Sequence, residues 1–561
     1  MTLVELLERQ RNAAVPVLYD RDRSVSFAAL ADESAAVAAG LAAAGVAAGD
    51  RVAIWLPNVP AWLAAFFACA RLGAIAVAVN TRFRSHELAD ILARSGARAL
   101  LYWPGFDKAD FVGVLAGCPA ESLRALAAVV EYAEDDQGTA ARDGRAAAAH
   151  ETSAAGARGD RIVAPRDGGR VAWPAGCRRL DYAALAASTP MTADHSRPAA
   201  GCAMFTTSGT TRAPKFVLHD QQTLTGHARE VVRGFDIDGH STMLLAPPLC
   251  GVFGVCCVLA MIAAGRPSAM TPVWDAAAAA RTIDRLGITH LNGTDDAIAQ
   301  LLAQNTRTPA FPTLRFAGYA AFNPALDDIV ERADARGLAV VGLYGASEVQ
   351  ALFARQATAA PVADRRLAGG RPVGDGARVR ACDPATQAVL PHGEAGELQI
   401  FAPVSRMVGY FQDEAATRAA ITDDGWYRSG DLGHTMADGR FVYLTRLGDS
   451  LRLGGFLTSP AEIESVVQQV PGVRGCQVIG ITLQQALRPV AFVTLADAAA
   501  GAPIDEAALE RRVIDCVAGR LARYKVPARV FVIDVFPVTE GTNATKIQKH
   551  RLRDLALRRL G

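Results

Sequence analysis

Between Asp50 and Asn80 an apolar run, Val52-Ala-Ile-Trp-Leu56, leads into an alanine-rich stretch of helical character and then a second apolar run, Ala74-Ile-Ala-Val-Ala-Val79. That alternation is a β–α–β rhythm, which predicts a mostly parallel sheet covered by helices. It recurs around Arg281 to His290 and again from Gly337 to Tyr344, so an α/β body is expected through roughly the first four fifths of the chain. After Asp449 the pattern turns compact again. Ala461-Glu-Ile-Glu-Ser-Val-Val467 has helical spacing, whereas Val490-Ala-Phe-Val-Thr-Leu495 and Val530-Phe-Val-Ile533 read as strands.

Two stretches break the rhythm. Residues 131–170 are mainly Ala, Gly, Arg and Asp with little to bury, which predicts a flexible surface insertion. From His240 to Arg266 there is no intervening charge, a length that could span a bilayer. Pro247, Pro248, Gly251 and Gly254 interrupt it, so buried core is the expectation.

Composition narrows the classes further. A chain of 561 residues is expected to form two or more domains. The net charge of +1 gives no electrostatic case for a nucleic-acid or anionic-membrane partner. The ten cysteines are scattered without a C-x-x-C pair and read as small buried hydrophobes in a reducing compartment. With no basic flank and apolar block at the N-terminus, a cytoplasmic location is expected.

The segment most suggestive of chemistry is Met204-Phe-Thr-Thr-Ser-Gly-Thr-Thr-Arg-Ala-Pro-Lys215. Hydroxyls and backbone N–H groups around a glycine donate to anionic oxygens, and a lysine adds positive charge. The order is not that of a Walker loop, G-x-x-x-x-G-K-S/T, and such a run also serves as an ordinary solvated turn. Further along come Tyr344-Gly-Ala-Ser-Glu348, Gly425-Trp-Tyr-Arg-Ser-Gly-Asp431, Arg446-Leu-Gly-Asp-Ser-Leu-Arg-Leu-Gly-Gly455 and Lys546-Ile-Gln-Lys549. Singly each has a plain reading: Ser347-Glu348 as a helix cap, Gly430-Asp431 as a turn, Lys546 as solvated surface.

Taken in order, these motifs resemble the adenylate-forming superfamily of acyl-CoA synthetases, aryl-acid ligases, peptide-synthetase adenylation domains and beetle luciferases. The likeness covers nearly the whole chain, including Val52 to Asn58, Arg71 to Asn80 and Tyr524-Lys-Val-Pro527. It implies a large N-terminal domain, 1–447, of several subdomains with mostly parallel sheets, helices and a small β subdomain. A small mobile α+β domain, 448–561, would follow.

The implied reaction is attack of a carboxylate on the α-phosphorus of ATP, expelling pyrophosphate, followed by displacement of AMP by a thiol. Two anions meet in the first step, so donors and cations must be aimed at the transferring phosphate. The resemblance assigns the phosphate loop to Thr207, Ser208, Gly209, Thr210, Thr211 and Lys215, with Arg212 where glycine or serine is usual. Ser347 and Glu348 match a pair that contacts phosphate and faces Mg²⁺, and glutamate suits that hard cation. Tyr344 would lie against adenine, Gly318, Tyr319 and Ala320 would supply backbone contacts to the base, Asp431 would hold the ribose, and Arg446 the ribose or phosphate. Lys546, preceded by Thr545 rather than the usual glycine, would bridge carboxylate and α-phosphate. Gly448 would be the hinge. Gly251 stands where a histidine or other aromatic commonly lines the acid channel, leaving room near Phe253 that apolar neighbours suit to a hydrophobic acid.

The expected function is therefore ATP-dependent ligation of a fatty or aryl acid to CoA. Transfer to a carrier-protein phosphopantetheine is the first alternative, and a noncatalytic nucleotide- or acyl-binding homologue the second. Residues 247–254 contain no acidic residue to bind an amino group, which counts against amino-acid activation. No G-x-S-x-G is completed, and Gly374-Asp-Gly376 lacks the third glycine of a dinucleotide fingerprint.

Overall fold

The computed structural model describes residues 1–134, 171–207, 214–322, 326, 328–384, 386–447, 451–454, 456–458, 460–484, 486–496, 505–541, 544–547 and 549–560. Its first lobe is built on two large sheets. One has eight described strands, ordered Gly409–Tyr410, Lys215–Asp220, Gly201–Thr207, Ile75–Ala78, Arg51–Trp55, Ala99–Tyr102, Ala128–Glu131 and Arg178–Asp181. From Gly201–Thr207 outward to Arg178–Asp181 neighbouring strands run parallel, as the β–α–β rhythm requires. Helix Pro60–Leu72 connects two of them. Proline at its first turn lacks only an amide that would be orphaned there, and Gly73 at φ 71° ends it in the left-handed region.

The second sheet has thirteen described strands. Its parallel part includes Met243–Leu245, His290–Thr294, Phe316–Ala320 and Val340–Ala346. Beyond Val340–Ala346 the sheet becomes antiparallel, through Gln350–Arg355 and Gly369–Pro372 to Phe441–Arg446 and Tyr427–Thr435. The uncharged stretch before Arg266 forms helix Val252–Ala263, buried along almost its whole length. Among the described residues no helix is long and apolar enough to cross a membrane. Gly254 permits the packing of this helix, because a Cβ there would meet the Pro248 carbonyl oxygen at 2.4 Å.

The expected insertion begins later than residue 131. Glu131 is the last residue of the paired strand Ala128–Glu131 and accepts from the Tyr102 hydroxyl at 3.1 Å, so strand pairing holds it in the fold. The remainder of that stretch, from 135 to 170, lies outside the described residues.

Residues from Leu451 onward have apolar clusters of their own. A three-stranded sheet, Val473–Leu483, Ala486–Leu495 and Arg529–Val532, buries one face against Pro460–Val467 and Glu506–Arg520. Its other face, carrying Ile479, Ile481 and Phe492, packs with Leu552 and Ala556 of the last helix, Lys549–Leu560.

Candidate functional site

Six strands end at one place. Trp55, Thr207, Leu245, Thr294, Ala320 and Ala346, each the last residue of its strand, all line a cleft of about 1900 Å³. The carboxyl ends of strands in open α/β sheets are where ligands bind, because chain reversals there leave a crevice.

Thr207 and Lys215 stand directly opposite each other on two antiparallel strands, so pairing fixes the two ends of the hydroxyl-rich motif. Ser208, Gly209, Thr210, Thr211 and Arg212 lie outside the described residues. The Lys215 ammonium sits 4.5 Å from the centre of the Tyr410 ring. The Tyr410 hydroxyl in turn donates to Glu348 Oε1 at 2.8 Å. One aromatic thus touches both the predicted phosphate lysine and the predicted magnesium ligand. Sequence reading missed Tyr410: it lies 62 residues from Glu348, and only its strand pairing (Tyr410 opposite Val217) brings it there.

Ser347 and Glu348 occupy a short 3-10 turn, Ser347–Val349, between two strands. His219, buried below the turn, bonds through Nε2 to the Ser347 carbonyl oxygen at 2.7 Å. Burial lowers the His219 pKa to about 4, so the ring is neutral and Nε2–H is the donor. Beyond the turn Gln350 adopts φ 65°, a left-handed conformation uncommon for residues with a Cβ. Its amide is tied down by donation to the Thr223 carbonyl at 3.0 Å.

Across the cleft the Tyr344 hydroxyl donates to Asp431 Oδ2 at 2.6 Å, and both residues are buried. Asp431 is opposite Arg446 on the neighbouring strand, joining two motifs that are distant in sequence. Of the three residues expected against the base, Ala320 lines the cleft while Gly318 and Tyr319 are not among its described lining. Gly318 is paired in mid-strand with Asn292 and Val341. Strand alternation sends the Tyr319 ring into the core, where its hydroxyl donates to the Arg366 carbonyl at 2.8 Å.

Gly251 and Phe253 both line the cleft, with Cys250 and Val252. The loop before them is held by the buried Asn58 amide, which donates to the Pro247 carbonyl at 3.1 Å and accepts from Leu249 N at 2.7 Å. A Cβ at Gly251 would meet only the Pro248 oxygen at 3.7 Å, an ordinary contact. A side chain could therefore begin there without displacing a neighbour.

The second lobe contributes Gly454, Glu462, Arg488, Arg523, Tyr524 and Lys525, among others, to the lining. Gly448 lies outside the described residues, and of Arg446 and Lys546 only the backbone is described; Lys546 is opposite Thr539 in a small hairpin. Among the described residues no group of three or more His, Cys, Asp or Glu could form a metal cage. Glu348, a cleft-lining carboxylate, shares the Tyr410 side chain with Lys215. That donor set fits Mg²⁺ arriving with a polyphosphate, since this ion keeps waters and phosphate oxygens and needs only one or two carboxylates.

Residues 7–411 match the AMP-binding enzyme family, and 462–541 match the AMP-binding enzyme C-terminal domain. A (methyl-dioxo-octahydroindenyl)propanoyl:CoA ligase of Mycobacterium tuberculosis is 32% identical, over 96% of this chain and 95% of its own. Feruloyl-CoA synthase of an Amycolatopsis species is 30% identical over 94% of each chain. Among solved structures, o-succinylbenzoate CoA synthetase of Bacillus subtilis superposes with a TM-score of 0.77 at 23% identity, covering 98% of both chains, a likeness of fold.

Proposed function

The chain belongs to the AMP-binding enzyme family, and from that premise we propose that it activates a hydrophobic carboxylic acid with ATP and transfers the acyl group to CoA. The observation that carries this reading is the convergence of Thr207, Lys215, Tyr344, Ser347, Glu348 and Asp431 on the cleft that also contains Gly251 and Phe253. Phosphate, ribose and acid positions then share one space.

In the first step a carboxylate oxygen attacks the α-phosphorus and the bond to pyrophosphate breaks, giving the acyl-adenylate. Thr207 and Lys215, with Ser208, Gly209, Thr210 and Thr211 between them, hold the phosphates. Asp431 accepts from the ribose hydroxyls while the Tyr344 hydroxyl fixes its carboxylate. Glu348 would hold Mg²⁺, which when bound neutralises phosphate charge. Lys546 would reach in from the second lobe, turning about Gly448 between domains 1–447 and 448–561. In the second step the CoA thiol attacks the acyl carbonyl and AMP departs.

CoA is favoured over a carrier-protein phosphopantetheine by the cations of the cleft. Arg82, Arg84 and Lys108 from the first lobe and Arg488 and Arg523 from the second line it. Free CoA brings a pyrophosphate and a further phosphomonoester to such a surface, whereas a carrier-bound arm brings one phosphodiester. Related CoA ligases named for feruloyl and bicyclic propanoyl substrates make a large apolar acid the natural candidate.

The test is pyrophosphate release on adding octanoate, benzoate, a cinnamate-like acid or acetate, with and without CoA. Acid-dependent release and a CoA thioester with the larger acids support the reading. Pyrophosphate release with a thioester formed only on a carrier protein would move the acceptor, and failure with every acid and both acceptors would overturn it.

A further inference from the structure

The two lobes are joined by a buried ion triad. Lys525 Nζ lies 2.5 Å from Glu87 Oε1, on helix Ser85–Ser95 of the first lobe, and 2.7 Å from Glu462 Oε1, on helix Pro460–Val467 of the second. The side chains of Lys525 and Glu87 are each only 5% exposed, and that of Glu462 is 16% exposed. Phe83 of the first lobe adds its ring face, 5.3 Å from the ammonium. Desolvation alone would lower the Lys525 pKa, but the carboxylates of Glu87 and Glu462 beside it raise it, so the lysine is charged.

We propose that Lys525, gripping Glu87 across the lobe boundary with Glu462 behind it, is the latch that holds the second lobe in its thioester-forming position. The inference rests on the two-step reaction proposed above. The second lobe meets the cleft with Gly454, Arg488, Arg523 and Tyr524, and Tyr524 belongs to the apolar cluster on one face of its three-stranded sheet. Ile547, next to Lys546, packs with the cluster on the other face, beside Ile479, Phe492 and Leu552. The face carrying the adenylation lysine's neighbour is therefore not the face that meets the cleft here, and the arrangement suits the second half-reaction.

The triad is also built to open. Lys525 and Glu462 belong to the same lobe and stay paired when the lobes part, while Glu87 is left at a surface that water reaches. No buried charge is stranded, which is the large cost of breaking a buried pair by other means. Three positioning residues thus bias which half-reaction the lobes are set for.

The decisive variant is Glu87→Gln. It removes the cross-lobe charge, yet an amide oxygen at the position of Glu87 Oε2 still accepts from Arg84 N, a bond now 3.0 Å long that caps the helix. We expect thioester formation from supplied acyl-adenylate and CoA to fall about tenfold or more, with pyrophosphate release in the first step kept within about twofold. Lys546→Ala should show the reverse pattern. Hydrogen exchange, which needs no substrate, should rise in Glu87→Gln at residues 83–88 and 523–526 and not elsewhere. Lys525→Met should repeat the loss of thioester formation. Equal loss in both half-reactions, or unchanged exchange at these segments, overturns the latch. Absence of any acid-dependent pyrophosphate release by the wild type would instead overturn the reaction on which it rests, and the exchange result would still report on the contact.

Discussion

The Tyr344 hydroxyl donates to Asp431 Oδ2 at 2.6 Å, across 87 residues of sequence. A hydrogen bond to a charged acceptor contributes about 1.5–3 kcal/mol. Tyr344→Phe keeps the ring and removes that bond, weakening the hold on the carboxylate that would face the ribose hydroxyls. The KM for ATP should rise about tenfold or more with the KM for the acid unchanged, as steady-state kinetics with each substrate varied would show. An equal rise in both would mean that the bond serves the fold rather than the nucleotide.

Tyr410 joins Lys215 to Glu348, through its ring face and its hydroxyl. Glu348→Gln should lower acyl-adenylate formation by about 10²-fold and shift its Mg²⁺ dependence to higher concentration, because a hard anionic ligand becomes a neutral one. Tyr410→Phe should shift the Mg²⁺ dependence in the same direction by less, since the carboxylate remains. Titrating Mg²⁺ at fixed ATP checks both. An unchanged Mg²⁺ midpoint in Glu348→Gln would remove this residue from the metal's surroundings.

At Gly251 the backbone has φ −114°, open to any residue, and a Cβ would meet no atom closer than 3.7 Å. Gly251→His should therefore fold normally and fill the acid space. Its kcat/KM for octanoate and cinnamate-like acids should fall about tenfold relative to short acids, at roughly 0.8 kcal/mol per methylene displaced. Gly254→Ala is the structural contrast, with its Cβ driven to 2.4 Å from the Pro248 oxygen. It should lower thermal stability by about 1–3 kcal/mol, read from its melting curve.

His219 gives a pH dependence of stability with a definite sign. Burial lowers its folded pKa to about 4 from an ordinary value near 6.5. Between those values the unfolded chain takes up a proton that the folded chain does not, so stability falls as the pH drops through this window. The slope from this residue is at most about 1.4 kcal/mol per pH unit. His219→Gln, which can still donate to the Ser347 carbonyl, should flatten that part of the unfolding free energy. Identical slopes in denaturant titrations of the two proteins would show that His219 is protonated in the fold.

The alternation of apolar runs and helical stretches was enough to read an α/β body, because that pattern is local. The motifs named Thr207, Lys215, Ala320 and Tyr344, and these line the cleft. What could not be read was pairing over distance: Tyr410 beside Glu348, Asn58 holding the loop before Gly251, and Glu87 reaching Lys525. Each depends on how sheets and lobes pack, not on spacing along the chain. For Gly318, Tyr319 and Ala320 the motif implied backbone contacts alone; that the Tyr319 ring turns into the core follows from strand alternation.

The central claim is that the carboxylate attacks the α-phosphorus of ATP. Turnover of a hydrophobic acid labelled with oxygen-18 in both carboxylate oxygens, followed by mass spectrometry of the nucleotide and phosphate products, tests it directly. The account predicts AMP carrying one labelled oxygen, unlabelled pyrophosphate, and a CoA thioester retaining the other label. ADP with labelled inorganic phosphate would contradict it, as would AMP without label.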